Sequence, residues 1–202
     1  MNAAVFSIFG ATFPIFVIAS ALSVRTCGDK SMPYMAAALA SMALSASIIA
    51  SVGEHDMFAR FFSLAAYGMA GVFMFAGAID KSWRSIDMLL LVVFVFMSSV
   101  IGGFFTRAPY SVVMPSAFVV FAGFAVMAIR YYANDKMLIA LIMGVLAVVT
   151  LADSAFIGLP GPNALLNALL VVKMALVALM EAALIVNCYM AYKARKKGKH
   201  VR

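Results

Sequence analysis

Long apolar runs divide the basic residues of this chain into two sets, and that division constrains the fold more than any other feature. A bilayer is crossed by about 20 apolar helical residues, and windows of that kind fall near 4–24, 33–52, 61–79, 88–106, 111–129, 137–158 and 164–192. These windows predict seven spans. With the N-terminus outside, the cytoplasmic side receives Arg25, Lys30, Lys81, Arg84, Arg130, Lys136 and the tail residues Lys193, Arg195, Lys196, Lys197, Lys199 and Arg202. The outer side receives only Arg60 and Arg107. Basic residues are retained on the cytoplasmic side, so the asymmetry predicts N-out and C-in. Lys173, inside the last window, belongs to neither set.

Composition agrees with this reading. Of the 202 residues 66% are apolar, with a mean hydropathy of +1.07, which leaves no room for a soluble domain. The expected fold is an all-α integral membrane protein: one seven-helix transmembrane domain over 1–192 and a basic cytoplasmic tail over 193–202. The formal net charge of +7 is concentrated in that tail. Its partners are therefore read as anionic lipid headgroups, at about 1 kcal/mol per charge, and not nucleic acid. The first apolar window lacks a basic leader and runs into Arg25, so it reads as a retained span and not a cleaved signal. Cys27 and Cys188 have no CxxC spacing and fall on the reducing side, which argues against a redox motif.

Within the spans, residue size predicts packing. Residues 36–51 are almost all Ala and Ser, broken by Met42, Leu44, Ile48 and Ile49. Small residues let helix backbones approach closely in lipid, so this helix is expected at the centre of the bundle. Residues 89–96 are all bulky and read as lipid-facing, while the following Ser98-Ser99 and Gly102-Gly103 should pack inward. The sixteen Met residues are scattered and read as adaptable packing side chains.

Ionisable residues inside spans are costly and mark candidate sites. There are three: Asp153, Lys173 and Glu181. Asp153 lies near the outer end of span six, and Lys173 lies in the outer half of span seven, about 6 Å apart in depth by helical rise. Helical side chains lean toward the N-terminus, so Lys173 leans outward and an Asp153 to Lys173 ion pair is geometrically reasonable. That pair reads equally well as a latch between two helices or as part of a site. Glu181 lies about 12 Å deeper than Lys173 and is a candidate proton relay, or else a neutral hydrogen-bonding acid near Asn187.

Outside the spans, the loop Gly53-Glu54-His55-Asp56-Met57-Phe58-Ala59-Arg60 is the polar connection richest in functional groups on the outer side. Three adjacent loop residues present tetrahedral geometry poorly, so no metal site is expected at Glu54, His55 and Asp56. No histidine falls within a span, which argues against haem ligation. The sequence carries no phosphate-binding Gly-rich loop, GxSxG or HExxH.

At several of these residues the chain resembles the membrane-anchor subunit of the dimethyl sulfoxide reductase family of respiratory molybdoenzymes. The similar positions are Ile49-Ala50-Ser51, His55, Arg60 and Phe61-Phe62-Ser63-Leu64, with Val5-Phe6-Ser7-Ile8-Phe9-Gly10 in the first span. Asp153 and Lys173-Met174-Ala175-Leu176 complete the likeness. It departs from the family pattern in having no Gly and Pro between His55 and Arg60, no acidic residue from Phe61 to Ile79, and no helix after span seven, as in a shortened anchor. The resemblance implies a location in the bacterial inner membrane and a non-catalytic subunit. It also implies menaquinol oxidised at the outer side, with electrons passed to an iron-sulfur subunit beside a molybdopterin subunit. His55, Arg60, Asp153 and Lys173 would line the quinol site, with His55 accepting a proton.

The residues themselves support a second reading, a small-solute or ion transporter using Asp153, Lys173 and Glu181 as a coupling path. A retinal-binding reading fails because span three has no acidic counter-ion and the single Trp, Trp83, lies in a loop.

Overall fold

The computed structural model describes residues 31–52, 56–79, 85–105, 113–156 and 163–199. Among them are six helices and no strand: α1 (Ser31–Val52), α2 (Met57–Ala78), α3 (Ser85–Val100, continued by a π-helical turn over Ile101–Phe105), α4 (Val113–Ala133), α5 (Met137–Phe156) and α6 (Asn163–Lys199). Each coincides with one of the last six apolar windows; the first window, 4–24, lies outside the described residues. Four stretches are long and apolar enough to cross a membrane: Met57–Ala78, Ile86–Phe105, Pro115–Ala133 and Val171–Ala194. Helices satisfy every interior backbone group within one segment, the condition a bilayer imposes.

Side-chain bonds between helix ends fix the arrangement. Ser31 Oγ and Tyr131 Oη lie 2.9 Å apart, joining the start of α1 to the end of α4. Arg130 donates to the carbonyls of Gly77 and Ala78 at 2.7 and 2.8 Å. The last carbonyls of a helix have no partners in its own ladder and carry its negative dipole end, so this guanidinium closes α2 and ties it to α4. At the opposite end Asp56 caps α2 by accepting from the Ala59 amide at 2.7 Å. This gives the polar loop before α2 a structural role that requires no ligand. The connection from α4 to α5 is tight, with Asp135 in the left-handed region at φ 57° and the Lys136 amide returning to the Tyr131 carbonyl.

Among the described helices the hub is α2, which packs on α1, α3 and α4, where the expected hub was α1. Close backbone approach explains it. A Cβ on Gly71 would stand 2.5 Å from the Val119 carbonyl oxygen, and one on Gly123 would stand 3.1 Å from the Gly71 oxygen. The α2 and α4 backbones therefore touch at Gly71 and Gly123, which no larger residue permits. Helix α1 still packs as its small residues predict, with Met35, Ala38 and Leu39 fully buried against α2 and the main core.

Met32, Met35, Met74, Phe124, Met127, Met143, Leu146, Met180 and Leu184 are among the large residues of the main core, which draws on every described helix except α3. The methionines fill this interior as packing groups. Helix α3 lies at the edge, with Leu89, Leu90, Val93, Phe94, Phe96 and Met97 exposed as expected of lipid-facing residues. Its far end turns inward: Ser99, Gly102 and Gly103 are buried, and a Cβ on Gly103 would meet Phe61 at 2.7 Å. Helix α6 continues to Lys199, beyond the expected span end at 192. Its 37 residues extend over about 55 Å at 1.5 Å per residue, against about 30 Å of hydrocarbon.

Candidate functional site

Among the described residues two charged side chains are held inside the bundle, both on α6. Lys173 is 6% exposed and Glu181 is 3% exposed. They share a buried stripe with Val177, Met180 and Leu184, whose apolar side chains join the main core. The stripe follows from spacing near 3.6 residues per turn. Glu181 is just over two turns beyond Lys173, about 12 Å along the axis.

The described partner of Lys173 is Tyr67 of α2. Lys173 Nζ donates to Tyr67 Oη at 3.3 Å, and the same nitrogen stands 5.4 Å from the centre of the Tyr67 ring, within the range of cation–π attraction. Tyr67 stands halfway along α2, so the Lys173 amine lies at mid-depth. Sequence reasoning placed it in the outer half of its span, near Asp153. The α5 backbone carries Asp153 near its C-terminal end; the Asp153 side chain, and with it the expected ion pair, lies outside the described residues. So does His55.

Arg60 is described and half-buried. Arg60, Ser63 and Tyr67 recur at helical spacing and share one face of α2, running from its capped end to mid-depth. Ser63 donates to the Ser45 carbonyl at 3.1 Å, and its oxygen lies 2.8 Å from Ser45 Oγ. This buried hydroxyl pair joins α1 to α2 one turn above Tyr67. The polar face thus places Arg60, Ser63 and Tyr67 on one helix, and brings Ser45 and Lys173 to it from two others. Glu181 stands apart, deeper in the bundle.

Sequence reasoning missed Tyr67, Ser45 and the role of Ser63. A signal for Tyr67 exists. Tyrosine favours membrane interfaces, and Tyr34, Tyr131, Tyr132, Tyr189 and Tyr192 all stand near the ends of apolar windows. Tyr67 is deep within one. A phenol there needs a polar partner, and the lysine that the charge pattern cannot place is a natural choice.

The aromatic residues after Arg60 have a packing role. The Phe61 ring meets Phe62, Phe96 and Phe104 at centroid distances of 5.0, 5.5 and 5.6 Å, and Phe58 meets Phe104 at 5.4 Å. These contacts seat the π-helical end of α3 on α2. No protein-family model, characterised protein or solved structure matches the chain.

Proposed function

We propose that this chain is a seven-span membrane protein, N-terminus outside and C-terminus cytoplasmic, that couples proton movement to passage of a small solute or ion. The observation that carries the reading is the burial of Lys173 and Glu181 on one stripe of α6, facing the interior of the bundle. Burying such groups is costly, and membrane proteins retain them where ions or protons move. In this reading Lys173 and Tyr67 form the mid-depth station, Asp153 acts near them, and Glu181 relays protons toward the cytoplasmic side. The test is proton flux in proteoliposomes loaded with a pH-sensitive dye. Wild-type vesicles should dissipate an imposed pH gradient in a solute-dependent way, and Glu181→Gln should lose that dependence. Equal flux in both would reject the coupling role.

A second reading is favoured by one observation, the continuous face of Arg60, Ser63 and Tyr67 leading from the outer end of α2 to Lys173. A quinol headgroup could be held along it, with His55 at its mouth, in an anchor subunit of a bacterial inner-membrane molybdoenzyme. That reading requires copurifying iron-sulfur and molybdopterin subunits and quenching of a fluorescent menaquinol analogue. Absence of both would reject it.

A further inference from the structure

The outward face of α6 is apolar for most of its length and then turns basic. Opposite the buried side that holds Lys173, Val177, Glu181 and Leu184, an exposed stripe runs through Ala168, Val172, Leu179, Val186 and Met190. Exposure recurs at every third or fourth position, which keeps the stripe on one side of the helix. No described residue covers it. From Ala168 to Met190 the stripe extends about 33 Å along the axis, and the hydrocarbon core of a bilayer is about 30 Å thick. The apolar face therefore fits the bilayer interior in length.

Beyond Met190 the same side carries lysine. Lys193 stands about 4.5 Å past Met190 and Lys196 about 9 Å past it, and both are exposed. The headgroup layer is about 5–7.5 Å deep on each side of the hydrocarbon. Lys193 falls within that layer, and the stem of Lys196 is long enough to bring its ammonium back to it. Tyr189, exposed one turn before Lys193, lies at the level where aromatic side chains concentrate in membrane proteins.

The order along this face is apolar, aromatic, then cationic. It matches a phospholipid lying alongside, with acyl chain, glycerol region and phosphate in the same order. A soluble acidic protein would have to displace headgroups to reach Lys193 and would leave the apolar stripe unmatched.

We propose that this face of α6 holds one anionic phospholipid of the leaflet that meets the C-terminal end of the helix. Its phosphate lies between Lys193 and Lys196, and an acyl chain runs along Val186 and Leu179. The site is independent of the coupling reading, because Lys173 and Glu181 occupy the other side of the helix.

Bromine-labelled lipids test it. The full chain carrying Tyr189→Trp and Trp83→Phe, in phosphatidylcholine vesicles, has one indole, which brominated acyl chains quench on contact. Brominated phosphatidylglycerol should associate about twenty-five times more strongly than brominated phosphatidylcholine, at about fivefold for each of two lysines. Lys193→Gln and Lys196→Gln should each lower that preference about fivefold. Arg195→Gln, at a position the helix places on the side away from Met190 and Lys193, should leave it within about twofold. A loss at Arg195 equal to that at Lys193 would show only the diffuse field of the basic tail and would overturn the site. Equal quenching by the two lipids before any lysine is replaced would overturn it as well. So would binding of soluble polyglutamate that depends on Lys193 and Lys196 without any preference for the anionic lipid, an outcome that gives the face to an acidic protein.

Discussion

Replacing Lys173 by Met, alone and together with Tyr67→Phe, tests whether the lysine and the phenol act as a pair. Met matches the length of the lysine stem and packs readily in irregular interiors. Among the described interactions, the substitution removes a hydrogen bond of 3.3 Å to Tyr67 and a cation–π approach of 5.4 Å to its ring. The bond is long, and interhelical hydrogen bonds in membranes average about 0.6 kcal/mol. With the ring interaction the loss is about 1–2 kcal/mol. The substitution also removes a desolvated amine at 6% exposure, a change common to the single and the double variant, so it cancels in a double-mutant cycle.

Tyr67→Phe removes the phenol that Lys173→Met leaves without its donor, so the double variant should lose less stability than the two single variants together. Both the single Lys173→Met variant and the double variant should lose transport. Reversible unfolding in mixed micelles by titration with a denaturing detergent measures the stabilities, and a double-mutant cycle gives the Lys173–Tyr67 coupling, expected at about 1 kcal/mol. A coupling indistinguishable from zero would refute the reasoning, since the lysine and the phenol would then contribute independently.

Other consequences of the fold are open to similar tests. Gly71→Leu should destabilise the bundle by at least about 1–3 kcal/mol, because even its Cβ meets the Val119 backbone; Gly144→Ala, where nothing stands within 4 Å, should be neutral in the same unfolding assay. Arg130→Ala should cost about 1–3 kcal/mol by stripping the α2 carbonyls of their donors, with amide exchange accelerated at the end of α2 and not at its middle. Asp56→Ala should cost about 1 kcal/mol as a lost helix cap, and Asp56→Asn should restore most of it; equal loss in both would show that the charge, and not the cap, matters.

How much of this was legible in the sequence follows from the physics of each feature. The exposed bulk of α3 and its inward Ser99, Gly102 and Gly103 could be read directly, because side-chain size alone decides what suits lipid and what suits a helix contact. The buried packing of α1 followed in the same way. The central place of α2 did not, because Gly71 acts only in register with Gly123, and a register between distant segments leaves no mark in either. Asp56 was visible only as part of a polar loop, although an Asp just before an apolar run is also a helix-start signal.

The site was legible in part. Burial of Lys173 and Glu181 could be anticipated from their position inside an apolar window. The Lys173 hydrogen bond to Tyr67 could not, since neither segment marks a contact between two helices so far apart in sequence.

The most direct test of the central claim is the charge displaced by Glu181 itself. Vesicles adsorbed on a solid-supported membrane and subjected to a rapid pH jump report it as a transient current. Wild-type protein should give a transient that Glu181→Gln reduces by at least tenfold while helix content and unfolding midpoint stay unchanged. A Glu181→Gln transient equal to that of wild type would contradict the account.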